Sequence, residues 1–276
     1  MHDNRRKTHS AGNEKVRAKK FLGQHFLHDQ NVAKRIVERL TLTGAERRNV
    51  LQIGPGMGVL TKYLVELNAE LRLIEIDRDS VAYLKKNYPA LQRHIIEGDF
   101  LELDLPSVFG EKFSVIGNFP YNISSQIFFK ILGYRDQVEE VVCMLQREVA
   151  ERIASAHGNK TYGILSVLLQ AYFDIALLFR VPPGVFSPPP KVMSAVIRLQ
   201  RNSRTHLGCN EELFVHVVKQ GFNNRRKTLR NALKKLNLAA GVASLPLLDK
   251  RAEQLSVDDF VLLTRLIEES RAETAS

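Results

Sequence analysis

The sequence predicts an α/β protein, with one doubly wound, mostly parallel sheet of six or seven strands followed by a small all-helical domain. Two observations predict it. Strand-length apolar runs alternate with amphipathic, helix-length segments from about position 30 to 202, the order a parallel sheet covered by helices requires. Beyond 202 the β signal stops, and the remaining apolar positions recur at helical spacing. A chain of 276 residues with 44% hydrophobic and 25% charged side chains can bury one large core and carry a small companion.

Residues 1–18 lack hydrophobic periodicity and are expected to form a disordered basic arm. The segment NVAKRIVERL (31–40) puts Val32, Ile36, Val37 and Leu40 on one helical face, with Asp29 or Asn31 as N-cap. Asn49–Ile53 is the first strand; a glycine-rich turn (54–58) and a helix through Leu67 follow. Leu71–Ile76 is the second strand and precedes a helix over Ser80–Lys86. His94–Ile96 is the third, and Phe113–Ile116 the fourth, leading into a helix over Ser124–Leu132. Glu140–Leu145 is the fifth, with helices at 146–156 and 161–172. Two last strands fit near 174–181 and 192–200. No helix-length segment separates them, so they are expected as antiparallel neighbours. Helices are expected at 211–236 and 257–269, joined by GVASLP. The domains are therefore 19–202 and 203–276, with no internal repeat.

Several classes are excluded by composition. The two cysteines, Cys143 and Cys209, make neither a disulfide scaffold nor a four-ligand zinc site. No apolar run approaches the roughly 18 residues of a membrane span, and the basic N-terminus has no apolar signal region. The expectation is a cytoplasmic, metal-free monomer away from membranes. The formal net charge is +10. Residues 1–20 contribute +5 and residues 203–276 contribute +3, whereas 21–202 carry only +2. Lys219 to Lys235 (KQGFNNRRKTLRNALKK) holds seven positive charges and no acidic residue. A basic arm and a basic stripe beside a near-neutral body point to a polyanionic partner such as nucleic acid.

The turn after the first strand reads QIGPGMG (52–58). Glycines there allow a tight turn and close approach to a ligand at a helix N-terminus. Their G-x-G-x-G spacing is not the G-x-G-x-x-G of a dinucleotide fold, because position 59 is Val59, and a Walker Lys-Ser/Thr is absent. The ligand therefore offers no pyrophosphate to this loop. Glu75 ends the second strand, where an acidic residue accepts from ribose hydroxyls; Asp77 is its nearby rival. Asp99 in IEGDF lies just past the third strand and suits an adenine amino group. Together these describe a site for a nucleoside without phosphates, pointing to S-adenosylmethionine. Asn118-Phe119-Pro120-Tyr121 closes the fourth strand at the same edge. An Asn carbonyl and a main-chain carbonyl can accept both hydrogens of an exocyclic amine, and a neighbouring aromatic ring can stack on its base.

With these residues in hand, the chain resembles the ribosomal RNA adenine-N6 dimethyltransferase family over roughly residues 19–270. The resemblance rests on KKFLGQHFL (19–27), QIGPGMGVLT (52–61), IEIDRD (74–79), EGDF (97–100), GNFPYNISS (117–125), MLQREVAERI (144–153), VFSPPPKVMSAVIRL (185–199) and FNNRRKTLRNAL (222–233). Within that family the basic segment and the body-wide match favour the small-subunit (16S) branch over the large-subunit branch. The resemblance implies a Rossmann-like class I methyltransferase fold with a seven-stranded sheet. It implies S-adenosylmethionine as methyl donor, held by His25, Leu27, Gly54, Glu75, Asp99 and Asn118. It also implies dimethylation of two adjacent adenosines near the 3′ end of 16S rRNA in assembling small subunits. The catalytic residues would be Asn118 and Pro120, whose side-chain and main-chain oxygens accept the two N6 hydrogens, and Tyr121, which stacks on the base. Phe186, in the proline-rich loop before the last strand, is a candidate second stacking surface, with a place in the core as the alternative. Three positions depart from the family: His25 stands for Asn, Gln52 for an acidic residue and Phe119 for Leu. The rival readings are a DNA or large-subunit rRNA N6-adenine methyltransferase, a small-molecule N-methyltransferase, and a non-catalytic assembly factor on the same fold.

Overall fold

The computed structural model describes residues 16–41 and 48–275. The expected arm over 1–18 falls outside these residues except for its last three positions. In chain order the strands are β1 (Phe26–Leu27), β2 (Arg48–Ile53), β3 (Ala69–Glu75), β4 (Ile95–Glu97), β5 (Phe113–Asn118), β6 (Val138–Gln146), β7 (Phe173–Val181), β8 (Phe186–Ser187) and β9 (Ser194–Arg201). The helices of the first part are α1 (Gln30–Val37), α2 (Thr61–Leu64), α3 (Arg78–Asn87), α4 (Leu105–Val108), α5 (Ser124–Gly133), α6 (Arg147–Ile153) and α7 (Ile164–Gln170).

Seven strands form one sheet in the order β4-β3-β2-β5-β6-β9-β7. The contacts from β4 through β6 are parallel. The last two strands are antiparallel neighbours as expected, and β9 also inserts between β6 and β7, antiparallel to both. The interior strands are apolar on both faces because helices cover both. Successive residues divide between two cores with the two-residue period of a strand. Leu51, Val115, Val141 and Cys143 face one core; Val50, Ile116, Val142 and Met144 face the other, together with Ala33, Ile36 and Val37 of α1. The registers Ile53↔Ile74 and Ile53↔Gly117 bring the carboxyl ends of β2, β3 and β5 to one edge. Gly54, Glu75 and Asn118 lie there, at the usual ligand-binding end of an open α/β sheet.

After Arg201 the described residues contain only helices: α8 (Glu211–Asn223), α9 (Leu229–Ala232), α10 (Ala240–Ala243), α11 (Val257–Ala275) and short 3-10 turns. Phe214, Val217, Phe260 and Leu263 continue the first core without a break. Phe222 sits between Phe260 and Tyr162, with ring centroids 6.0 and 6.1 Å away.

Three expectations change. The helix expected over 211–236 stops at Asn223, because Leu229 folds back: its N–H donates to the Lys250 carbonyl at 2.8 Å. Its side chain fills the space beside Gly221, where a Cβ would lie 3.0 Å from Leu229 Cδ2. The helix after the glycine turn ends at Leu64 rather than Leu67. Finally, β1 and β8 form a separate antiparallel ribbon, Phe26↔Ser187 and Leu27↔Phe186, which straps the segment 19–27 to the proline-rich loop. A two-residue pairing is too short to leave a periodicity in sequence.

Candidate active site

The cofactor half of the site grows from the turn after β2. Gly54 N–H donates to the Ile74 carbonyl at 3.0 Å, which draws the turn across the end of β3. Gly56 adopts φ +56°, and a Cβ there would come within 2.9 Å of the Phe26 ring, so the position is restricted to glycine on two counts. Its N–H donates to Glu75 Oε2 at 2.9 Å, and Asp77 N–H donates to Oε1 at 3.0 Å. Burial pushes the Glu75 carboxyl above its ordinary pKa, and these two donors only partly offset that. A carboxylate has about four acceptor sites, so Glu75 retains capacity for ligand hydroxyls. Asp77 points elsewhere. Burial opposes its charge, but Lys19, Gln24 and Ser80 outweigh that and hold its carboxyl below the ordinary range. It ties the N-terminal strap to α3 and leaves Glu75 as the acid that faces the cavity. Asp99 Oδ1 accepts the Leu101 N–H at 2.8 Å. Gln52 accepts from the Thr61 hydroxyl at 2.8 Å and anchors the start of α2.

The target half grows from β5. A Cβ on Gly117 would lie 2.5 Å from the Ile53 carbonyl oxygen, so glycine is what lets β5 deliver Asn118 beside the cofactor turn. Asn118 Nδ2 donates to the His25 carbonyl at 2.9 Å. Its Oδ1 is buried with no hydrogen-bond partner. The anchored Nδ2 fixes which way the amide faces, and the free oxygen is a preformed acceptor. Phe119 buries its ring against Phe128, with centroids 5.7 Å apart, and its N–H donates to Met144 O at 2.9 Å. The Pro120 carbonyl already accepts the Ile123 N–H at 3.3 Å, closing a turn. Among the described residues no backbone N–H reaches the Phe119 carbonyl. The Pro120 carbonyl thus has one lone pair engaged in a turn, whereas the Phe119 carbonyl, next to Asn118, accepts no backbone N–H. The Tyr121 hydroxyl is paired with Ser194 Oγ; burial raises its pKa and Ser194 partly offsets this, so the phenol stays neutral. The Tyr121 ring faces the His25 imidazole at 5.4 Å and 31°. His25 Nδ1 lies 2.8 Å from the Pro188 carbonyl, which can only accept, so Nδ1 carries the proton.

Both halves open into one cavity of about 230 Å³. His25, Gly54, Glu75, Asp99, Asn118, Pro120 and Tyr121 all line it. Leu27 lines an adjoining pouch shared with Gly54, Gly56 and Asn118. Phe186 does not line the cavity. It is 2% exposed and belongs to the core beneath the strap, so it offers no stacking face. Among the lining residues that the sequence did not single out are Phe100 and Ile76, the latter 48% exposed. The available signal was an apolar residue immediately after a candidate acidic ligand, Glu75 or Asp99, at the end of a strand. No lysine or arginine lines the cavity. Carboxylates beside apolar walls, without a cationic group for phosphate, fit a nucleoside-bearing sulfonium cofactor. Among the described residues no cluster of His, Cys, Asp and Glu could hold a metal, and no helix is long and apolar enough to cross a membrane.

Comparison with known proteins agrees with this geometry. The chain is 59% identical over 255 residues to the ribosomal RNA small subunit methyltransferase A of Cytophaga hutchinsonii, covering 92% of this chain and 98% of that one. It is 56% identical to the protein of the same name from Parabacteroides distasonis, covering 90% and 93%. A dimethyladenosine transferase structure from Plasmodium falciparum superposes with a TM-score of 0.76 at 25% identity, covering 90% of this chain and 98% of that one. The 23S rRNA methyltransferase ErmE shares the fold, with a TM-score of 0.63 at 24% identity over 87% and 99% of the two chains. The family model described as ribosomal RNA adenine dimethylase matches residues 15–269. The chain belongs to the ribosomal RNA adenine dimethylase family.

Proposed function

We propose that the protein transfers methyl groups from S-adenosylmethionine to N6 of two adjacent adenosines near the 3′ end of 16S rRNA, within assembling small subunits in the cytoplasm. One observation carries the reading: a buried, unpaired Asn118 Oδ1, oriented by its own Nδ2–H, in the same cavity as Glu75 and Asp99. Glu75 would accept from ribose hydroxyls and Asp99 from the cofactor's adenine amine, while His25, Leu27 and Gly54 close the pocket around the rest. When bound, the cofactor supplies an electrophilic methyl on a sulfonium.

The N6 amine of adenosine is a weak nucleophile because its lone pair is delocalised into the ring. Asn118 Oδ1 and the Phe119 carbonyl accept its two N–H bonds and favour a pyramidal nitrogen whose lone pair points at the methyl. Tyr121, pinned by Ser194, stacks on the base and fixes its plane. The amine proton leaves to solvent once the nitrogen has become cationic, so no tuned general base is needed. Positioning and electrostatic complementarity carry the rate.

The stripe Lys219–Lys235 supports an rRNA partner. Arg225 donates to the carbonyls of Lys160 and Tyr162, Arg230 pairs with Asp249, and Lys219 lies over the Phe129 ring. Arg226, Lys227, Lys234 and Lys235 are exposed and form no ion pair among the described residues. These four are the cations available to phosphates. The test supplies labelled S-adenosylmethionine with unmethylated small subunits, large subunits and DNA, followed by nucleoside analysis. N6,N6-dimethyladenosine should appear in small-subunit RNA; label confined to large subunits or DNA would refute the assignment.

A further inference from the structure

We infer that Phe21 is a stacking platform for the RNA base next to the adenosine held in the cavity, an inference that rests on the rRNA reading above. Phe21 is 78% exposed, more than any other large apolar side chain among the described residues. It is not carried on a loose tail. It occupies the middle of a 3-10 turn, Lys20–Leu22, closed by Leu22 N–H to Lys19 O at 3.1 Å and Gly23 N–H to Lys20 O at 3.0 Å. Gly23 adopts φ +64°, and a Cβ there would meet Asn122 Oδ1 at 2.7 Å, so the turn sits directly against the residue that follows Tyr121. On its other side Lys19 is tied to Asp77, and to Asp79 at 2.8 Å.

The turn is thus anchored at both ends. Leu22 and Gly23 line the catalytic cavity, and Phe21, one residue earlier, stands at its rim in solvent. A single exposed hydrophobic residue needs no explanation by itself. What gives this one a partner is its setting. Arg17 and Lys20 beside it are exposed and form no ion pair among the described residues, so the surroundings of the ring suit a phosphate backbone. The reaction supplies the rest. Bringing N6 to Asn118 requires the adenine to leave its stack, which uncovers one face of the neighbouring base. An aromatic ring at the rim, flanked by cations, covers that face and lowers the cost of extrusion.

The test compares Phe21→Ala, Phe21→Leu and Phe21→Trp with the parent protein on unmethylated small subunits. The exposed position leaves the fold intact, which unchanged melting midpoints would verify. Phe21→Ala should raise KM for the particle roughly 5- to 50-fold, leaving kcat and cofactor affinity unchanged. Phe21→Trp should restore KM, and Phe21→Leu should not. The chain contains no tryptophan, so Phe21→Trp also introduces a single indole whose emission should be quenched by unmethylated small subunits. Parent-like KM in Phe21→Ala, full rescue by Phe21→Leu, or an unquenched indole in an active enzyme would each overturn the inference. Failure of the parent protein to methylate small subunits would instead overturn the rRNA reading.

Discussion

The catalytic cavity and the basic stripe hold their functional groups ready in opposite ways. In the cavity the key amide is tied down at one end, and function resides in its other end, a buried, unpaired Asn118 Oδ1 beside an amide nitrogen locked to His25. In the stripe the committed groups are the minority. Arg225 and Arg230 hold backbone carbonyls and an ion pair, while Arg226, Lys227, Lys234 and Lys235 project into solvent. A buried acceptor must be placed within a fraction of an ångström to select one nitrogen, so its surroundings are rigid. Phosphate contacts need only charge at the right surface, so flexible lysines suffice.

Asn118→Ala is the strongest challenge to the first half of this contrast. It should lower kcat on small subunits by on the order of 10²–10³-fold, with cofactor affinity, measured by calorimetry, only weakened. Turnover close to that of the parent protein would show that the unpaired oxygen is not the acceptor. For the stripe, neutralising Arg226, Lys227, Lys234 and Lys235 together should weaken particle binding and flatten the slope of log affinity against log salt by roughly 3. Cofactor affinity should not move. Arg230→Ala sharpens the distinction: it should lower the melting midpoint by roughly 2–4 °C and leave the salt slope nearly unchanged. Equal effects of the two on salt slope would erase the division between structural and docking cations.

Smaller effects probe how the cavity is held. Burial raises the pKa of the Glu75 carboxyl, so its contribution to stability is full below the ordinary carboxylate range and is lost as pH rises through the raised value. Ligand binding runs the other way, because ribose hydroxyls prefer the ionised acceptor. Cofactor affinity should fall as pH is lowered through the raised pKa of Glu75, because the carboxyl then protonates. Glu75→Gln should bind weakly with no such dependence. Ser194→Ala and Tyr121→Phe should each reduce kcat by a few-fold, about 1 kcal/mol. The double variant should match either single one, since both remove the same hydroxyl pair; additive losses would show that Ser194 does not act through Tyr121.

Much of this molecule was legible in its sequence because the relevant signals are local. The interior strands show as apolar runs, since a sheet covered on both faces buries both faces of those strands. The glycine turn, Glu75, Asp99 and the NFPY tetrapeptide fall directly after successive strands, and parallel registration carries strand ends to a common edge. The break at Asn224 was not legible. The segment 211–236 has helical periodicity, and only the seat of Leu229 beside Gly221 and Lys250 interrupts it. Phe186 misled for a related reason: its proline-rich neighbours suggest an exposed loop, whereas pairing with Leu27 turns it into core.

The sequence by itself determined the sheet, the edge that carries the site, the absence of a phosphate-binding loop and the place of the excess charge. Each of these depends on residue type and on spacings of a few positions along the chain. Only the tertiary structure decided which atoms are free. That Asp77 serves the strap while Glu75 faces the cavity, and that His25 orients Asn118, follow from groups distant in sequence meeting in the fold, whereas the Pro120 carbonyl is engaged by a local turn. Hydrogen-bond satisfaction is a property of the folded neighbourhood, because a donor or acceptor is free only when every group packed around it has another partner.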